Sequence, residues 1–280
     1  MPTLPILDNH VHLQPNGRNF EAVIEFQKAG GTHLIVSHLP HKGHKITKGE
    51  DFKAQYDITL KMTELARKKT DVKIFVTLGP YPVELLRLSE RMPLNPAKEI
   101  MMLGMDIAAQ YVKEGKAIAL GEIGRPHFPV SEQIVKTSND IMRYGMEIAK
   151  ELECAVVLHT EGGTPEVCKE LVQIANSVGL SANRLVKHYS PAIIDEKDNH
   201  GLFPSVLASK KNIEEAIAQG NRFMMETDYL DDPRRPGAVL GIKTVPKRTK
   251  AILDAGLLSE EDAMVIHKDN PEKVYGIEID

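Results

Sequence analysis

The stretch that decides the fold runs from Cys154 to Ser190 and reads CAVVLHTEGGTPEVCKELVQIANSVGLSANRLVKHYS. It begins with the apolar run CAVVLHT and ends with RLVKHYS. Both runs have the length of strands and the composition typical of strands buried on both faces. Between them, Thr164 as cap and Pro165 at the first helical position predict the start of a helix, which ends at Gly179. A strand, a helix and a second strand in this order predict a parallel pair.

The same alternation extends over the whole chain. Ser131 and Ser259 stand at the predicted start of further helices, and Asn270 is the predicted cap of a short one in NPEKVYG. The predicted strands are PILDNHVHL, THLIVSH, KIFVTLG, AIALGEIG, CAVVLHT, RLVKHYS, LFPSVLAS and RFMMETD. Eight parallel strands with helices between them close a (β/α)8 TIM barrel. We therefore predict an α/β chain with one domain over residues 1–280, with an open doubly wound sheet as the alternative.

Composition narrows the class of protein further. The 280 residues are 42% hydrophobic and 26% charged, with a formal net charge of −4, as in an ordinary globular protein. A nucleic acid would therefore need a local basic patch. There is no signal-peptide pattern and no apolar run of roughly 20 residues, so we predict a cytoplasmic protein without membrane contact. Cys154 and Cys168 are predicted to be buried and unpaired, and nothing in the sequence predicts a protein partner.

Five of the eight predicted strands end in a residue type that binds metals. In a TIM barrel the carboxyl ends of the strands form the face that carries the catalytic groups. These candidate ligands are His10 and His12 after the first strand, Glu122 after the fourth, His159 after the fifth, His188 after the sixth and Asp228 after the eighth. Alternation along a strand places the first two histidines on one face. Lys187 is predicted to point towards the helices and to extend its ammonium group to solvent.

Four imidazoles and two carboxylates are more ligands than one tetrahedral zinc ion takes. They suit two divalent ions bridged by Glu122, spaced about 3.5–4 Å apart. Such a pair polarises the scissile group and lowers the pKa of a water towards about 7. Asp228 then binds metal and accepts the proton of the attacking water, so that Asp228 and Glu122 are the predicted catalytic residues. Zinc, magnesium and manganese all remain candidates.

Each of these residues also has a simpler interpretation when it is taken alone. A histidine at a strand end is often a hydrogen-bonded core residue. Alone, Glu122 could pair with a lysine, and Asp228 could cap a turn. The six residues together, at matching strand ends, favour the metal centre.

The ordered motifs NHVHL, GEIG, LHT, KHYSP and ETDYL, with NPEKVYGI near the end, resemble those of the TatD-related metal-dependent deoxyribonucleases. This family is a branch of the amidohydrolase superfamily, and the resemblance runs through essentially the whole chain. It implies hydrolysis of phosphodiester bonds. It also implies two ligand sets, His10, His12, Glu122 and Asp228 for one ion, and Glu122, His159 and His188 for the other.

The chain departs from the family pattern beside these motifs. His-Thr-Glu at 159–161 stands where many members have His-Ser-Arg, so a negative charge replaces a positive one. Arg-Pro-His at 125–127 replaces the usual Leu-Asp, and His-Tyr-Ser at 188–190 replaces His-Cys-Phe. The metal site is thus predicted to be kept and the substrate pocket to differ. The alternatives are a hydrolase of a small amide, lactone or organic ester, and a barrel that binds metal without catalysis.

Basic residues in the predicted loops are candidates for binding a phosphate. The loop after the second strand offers His41 and Lys42, the loop after the eighth offers Arg234, and Arg125 follows the fourth strand. Tryptophan is absent, and only seven tyrosines and seven phenylalanines are present, which argues against an extended base-stacking groove. The predicted substrate is therefore a small molecule or the end of a nucleic acid.

Overall fold

The computed structural model describes residues 4–236 and 238–280. Its strands are β1 Leu7–His12, β2 His33–Ser37, β3 Lys73–Leu78, β4 Ala119–Gly124, β5 Ala155–His159, β6 Leu185–Ser190, β7 Phe203–Leu207, β8 Met224–Glu226 and β9 Tyr229–Leu230. Its helices are α1 Phe20–Lys28, α2 Asp51–Lys69, α3 Val83–Ser89, α4 Leu94–Lys113, α5 Glu132–Glu151, α6 Pro165–Val178, α7 Glu196–Asn199, α8 Lys210–Ile217, α9 Thr244–Asp254, α10 Glu260–Met264 and α11 Asn270–Tyr275.

The strands form one parallel sheet that closes on itself. Their order is β8-β7-β6-β5-β4-β3-β2-β1-β9, and each predicted apolar run contains one of the strands β1–β8. The short strand β9 follows β8 after two residues and pairs with β1, through Val11 with Tyr229 and His12 with Leu230. The sheet thus begins and ends at one segment of the chain, and the predicted (β/α)8 barrel is confirmed.

Apolar residues from seven of the eight main strands meet in one buried cluster inside the ring, and the half-buried Phe75 of β3 packs against it. Ile35, Val157 and Phe203 belong to it, and Tyr275 and Ile279 from the end of the chain pack against them. The larger apolar clusters lie between the strands and the surrounding helices. Because the barrel interior is filled by side chains, the polar strand ends can meet only at the open carboxyl face.

Side chains cap the helices where the sequence predicts it. Ser131, Thr164 and Ser259 each accept a hydrogen bond from the backbone N–H three residues later, at 3.4, 3.3 and 3.0 Å. Helix α6 ends before Gly179, whose φ of +76° is a left-handed conformation that glycine adopts without a Cβ clash.

The predicted cap at Asn270 was wrong. This residue continues a helical path from the π-helix Val265–Asp269 and makes no side-chain cap hydrogen bond. Its side-chain amide donates instead to the carbonyls of Asn221 and Phe223, at 2.7 and 3.0 Å. A buried amide satisfies the backbone next to β8 here, a role that local spacing does not reveal.

Cys154 and Cys168 are buried and unpaired, as predicted. In the part of the chain that the structure describes, no helix combines the length and the apolar composition that crossing a bilayer requires.

Candidate metal centre

Four histidines surround the carboxylate of Glu122 at the carboxyl face of the barrel. His10 Nε2 lies 2.5 Å and His12 Nε2 3.2 Å from Glu122 Oε1. His188 Nε2 lies 3.7 Å from the same oxygen, and His159 Nδ1 lies 3.1 Å from Oε2. Strands β1, β4, β5 and β6, which are far apart in sequence, thus place their polar ends around one buried carboxylate.

Asp228 completes the cluster from the segment between β8 and β9. Its Oδ1 lies 3.2 Å from His12 Nε2. Two groups of ligand atoms within 4.8 Å of one another share Glu122: His10, His12, Glu122 and Asp228, and Glu122, His159 and His188. A third such group consists of His10, His188 and Glu226. The structure therefore brings together all six residues that the sequence singles out.

The donor set fits divalent metal ions. Imidazole nitrogens and carboxylate oxygens are ligands for zinc and other transition ions. The buried Nδ1 of His159 has no well-formed hydrogen bond to any described residue, although it faces Glu122. A buried polar nitrogen without a hydrogen bond is costly, and an ion between the two groups removes that cost.

Irregular pairing aims three of these side chains into the cluster. The strand register shifts in β1 between Asp8 and Val11, in β4 between Leu120 and Ile123, and in β6 between Lys187 and Ser190. These short segments contain His10, Glu122 and His188. Asp228 itself has a φ of +49°, which residues other than glycine rarely adopt. A bulge changes the direction of a side chain, so the geometry of the cluster depends on departures from regular strands.

Hydrogen bonds on the far ring nitrogens hold three of the histidines in place. Nδ1 of His12 lies 2.9 Å from the Ser37 carbonyl oxygen, and Nδ1 of His10 lies 3.1 Å from the Ser37 hydroxyl. Nδ1 of His188 lies 3.0 Å from Glu226 Oε1. Each contact leaves Nε2 facing the cluster, which is the arrangement that orients histidine ligands in metal sites.

Glu226 is a buried residue of the site that the sequence analysis missed. Besides contacting His188, it accepts a hydrogen bond from the backbone N–H of Tyr189 at 2.8 Å and one from the Ser205 hydroxyl. Burial raises its pKa to about 7. The available signal was its position two residues before Asp228 at the end of a strand.

Asp8 supports the other side of the cluster and was also missed. It accepts hydrogen bonds from the backbone N–H and the hydroxyl of Thr227, at 3.0 and 2.7 Å, and from the backbone N–H of His10. Burial raises the pKa of Asp8 to about 8. Its contacts tie β1 to the residue before Asp228.

The electrostatics of the cluster favour ionised carboxylates beside a neutral imidazole. Burial raises the pKa of Glu122, but the surrounding histidines His188, His159 and His10 together outweigh burial and hold that pKa well below its usual range. Burial also raises the pKa of Asp228, but the hydrogen bond to His12 brings this pKa below its usual value. Burial lowers the pKa of His188 to about 4, which leaves a ring-nitrogen lone pair available.

The prediction for the ammonium group of Lys187 was wrong. The residue is 1% exposed, and its Nζ donates to the carbonyl of His188 at 2.7 Å. The side chain is buried, so the ammonium group pairs with the backbone rather than reaching water. Burial lowers the pKa of Lys187 to about 8.

A cavity of about 570 Å³ adjoins the cluster. His127 connects the two, because it lines the cavity and its Nδ1 lies 3.0 Å from Nε2 of His159. The cavity walls carry two further aromatic side chains, Tyr81 and Phe128. Six basic residues line it, namely Lys42, Lys45, Arg87, Arg91, Arg234 and Arg235, against the four carboxylates of Glu84, Glu90, Asp231 and Asp232. The walls are thus locally positive although the chain carries a net negative charge.

Three of the predicted substrate-binding residues lie in this cavity. Lys42 Nζ is 3.7 Å and Arg234 Nε is 3.0 Å from the carboxylate of Asp232, and both side chains are exposed. His41 also lines the cavity, but it is buried and both ring nitrogens lie within 3.1 Å of side-chain oxygens. The exposed cations are therefore better placed than His41 to meet an anion.

The fourth predicted residue, Arg125, lies outside the residues that line the cavity. Its guanidinium donates to Glu161 at 2.8 and 2.5 Å, to Glu170 at 2.8 and 3.0 Å, and to Asn139 at 3.1 Å. These contacts take all five N–H donors of the group. A phosphate would have to displace a carboxylate, so the geometry argues against the predicted phosphate contact. Two departures from the family pattern, at positions 125 and 161, instead form one ion pair between the loops after β4 and β5.

A closed parallel barrel with this His/Glu/Asp cluster defines the chain as a metal-dependent hydrolase. The chain belongs to the TatD related DNase family, whose sequence profile matches residues 7–276. An uncharacterized protein of Methanocaldococcus jannaschii, MJ1127, is 40% identical over 100% of this chain and 99% of its own length.

Two solved structures share the fold at low sequence identity. YjjV, a TatD homolog from Escherichia coli, has a TM-score of 0.68 and 15% identity over 97% of this chain and 98% of its own. The organophosphorus hydrolase of Deinococcus radiodurans has a TM-score of 0.63 and 12% identity, over 98% and 93% of the two chains.

Proposed function

We propose that the chain hydrolyses phosphoester bonds, in the first place phosphodiester bonds at nucleic-acid ends. The observation that carries this proposal is the cavity beside the cluster, whose six basic side chains give a locally positive wall. Such a wall suits an anionic substrate. The volume of the cavity lies within the range of small-ligand pockets.

In this proposal two divalent ions are held by the residues around Glu122, with Asp228 and the four histidines as the remaining ligands. When bound, the ions polarise the scissile phosphoester and lower the pKa of the attacking water. The imidazole-rich set favours zinc or another transition ion over magnesium.

The chain's own residues accept the proton, contact the phosphate and keep the metal ligands oriented. Asp228, whose pKa is held below its usual value, accepts the proton of the attacking water. Lys42 and Arg234, exposed at the cavity wall, meet the phosphate oxygens. His10 and His12 stay oriented through Ser37 while the reaction proceeds.

A second candidate is hydrolysis of a small organic ester, lactone or amide. The observation that favours it is the Arg125–Glu161 pair, which removes a positive group from the place where many family members carry a free arginine. A solved structure with the same fold is that of a PTE-like lactonase from Deinococcus radiodurans, which supports a barrel of this kind for the second candidate.

The deciding experiment measures the release of nucleotides from short single-stranded DNA with Mg²⁺, Mn²⁺ and Zn²⁺ supplied separately. The wild type is compared with His159→Ala, and His200→Asn serves as a matched control because His200 is exposed in a loop outside the cluster. Release by the wild type and the control, but not by His159→Ala, supports the nuclease. No release with metal bound moves the proposal to small esters, lactones and amides.

A further inference from the structure

Two exposed aromatic side chains lie beside the candidate metal centre. Among the described residues, five large apolar side chains are exposed, and Phe128 at 41% and Tyr189 at 50% are two of them. Phe128 follows β4, and Tyr189 is the last residue but one of β6. Both therefore stand at the carboxyl face, Tyr189 at the end of β6 and Phe128 in the loop after β4, and both strands carry candidate metal ligands.

A continuous arc of rings joins these two residues across the cluster. The ring centroids lie 5.1 Å apart between Phe128 and His127, and 5.1 Å apart between His127 and His159. They lie 5.7 Å apart between His159 and His188, and 5.9 Å apart between His188 and Tyr189. Phe128 and Tyr189 thus stand at opposite ends of the arc, with two candidate ligands of one ion between them.

The backbone of Tyr189 is held in a conformation that this residue type rarely adopts. Its φ is +52°, in the left-handed region. Its N–H donates to Glu226 Oε1 at 2.8 Å, and the same oxygen lies 3.0 Å from Nδ1 of His188. One buried carboxylate therefore holds both a candidate metal ligand and the residue that presents the exposed ring.

We propose that Tyr189 and Phe128 are specificity residues, each of which stacks on a planar group on its own side of the scissile bond. This inference rests on the proposed phosphodiester hydrolysis. A phosphodiester that joins two nucleosides carries one base on each side of the phosphorus, which matches one aromatic side chain at each end of the arc. Base stacking on a protein aromatic ring strengthens binding about tenfold or more per base. The substrate class is therefore a short strand end with a base on both sides of the cleaved linkage.

The test is equilibrium binding to the full chain loaded with Mn²⁺, measured by calorimetry. The two ligands are a phosphorothioate-linked deoxyadenosine dinucleotide, whose linkage resists hydrolysis, and the same phosphorothioate between two abasic deoxyribose units. The wild type should bind the dinucleotide about 100-fold more tightly than the abasic ligand, because each of the two stacked bases contributes about tenfold. Tyr189→Asn and Phe128→Ala should each lose about tenfold of this preference, because both substitutions remove a ring.

The variants are chosen so that folding does not confuse the result. Asparagine adopts the left-handed conformation more readily than tyrosine, so Tyr189→Asn removes the ring without adding backbone strain. Tyr189→Phe keeps the ring and should keep the preference. Leu257→Ala is the matched control, because Leu257 is also exposed, at 53%, but lies between α9 and α10 away from the site.

Equal binding of the two ligands by the wild type overturns the inference. So does a full preference in both Tyr189→Asn and Phe128→Ala. Because binding is read without turnover, the two proposals fail separately. Preference without any nucleotide release leaves the stacking and removes the phosphodiesterase. Nucleotide release without a preference for the dinucleotide would support the phosphodiesterase and exclude the stacking.

Discussion

Replacing Glu226 tests whether this buried carboxylate holds His188 ready for a metal ion. Glu226 Oε1 accepts from Nδ1 of His188 at 3.0 Å and from the Tyr189 N–H at 2.8 Å. Glu226→Gln keeps an oxygen in this place and removes the charge. Glu226→Ala removes the acceptor altogether.

The expected magnitudes follow from these contacts. In Glu226→Ala three donors, those of His188, Tyr189 and Ser205, lose their acceptor. Each such loss costs about 1–3 kcal/mol, so the free energy of unfolding should fall by roughly 3–9 kcal/mol. The histidine also loses its fixed orientation, and removal of such a partner weakens metal binding about 10–100-fold. Glu226→Gln should stay near wild-type stability and lose about tenfold in metal affinity, because a carbonyl oxygen still orients the ring.

The assay is titration of Zn²⁺ against a competing chelator, with urea unfolding measured on the same preparations. Glu196→Gln is the control, because Glu196 is an exposed glutamate that pairs with Arg222 away from the cluster. Wild-type metal affinity at every site in both Glu226 variants would refute the role of Glu226. A loss confined to one of two binding steps would place His188 at a single ion.

Three further outcomes are expected. Asp228→Asn should keep most of its bound metal, measured by metal analysis, and should lose about 10²–10⁴-fold in hydrolysis rate, measured as initial rates. An unchanged rate would exclude Asp228 as the base. Arg125→Met should lower the free energy of unfolding by about 1–2 kcal/mol, measured in urea, because Glu161 and Glu170 lose their partner. Weaker phosphate binding at unchanged stability would contradict this. His267 is buried and its pKa is lowered to about 4 from 6.5, so the unfolded chain takes up the proton first as the pH falls. The wild type should therefore lose up to roughly 3 kcal/mol relative to His267→Gln between pH 6.5 and 4, and parallel stability curves in urea would show that His267 contributes nothing.

The sequence by itself determined the barrel and the membership of the cluster. Buried parallel strands are recognisable as short apolar runs, because both faces of each strand meet other side chains. Their carboxyl ends must share one face of the barrel, so polar residues after different strands could be assigned to one site before any contact was known. His10, Glu122 and Asp228, which come from three distant strands, could be grouped on this ground.

Only the tertiary structure decided what each polar group contacts. Arg125 has the spacing of a phosphate-binding residue, but partners 36 and 45 residues further along the chain take its donors. Lys187 has the pattern of a side chain that reaches solvent, yet it is buried and donates to the carbonyl of His188. Glu226 acquires its role through His188, a residue of another strand. Periodicity reports which side of its own element a residue faces, whereas hydrogen bonds and ion pairs act over a few ångströms between elements whose separation in sequence is arbitrary.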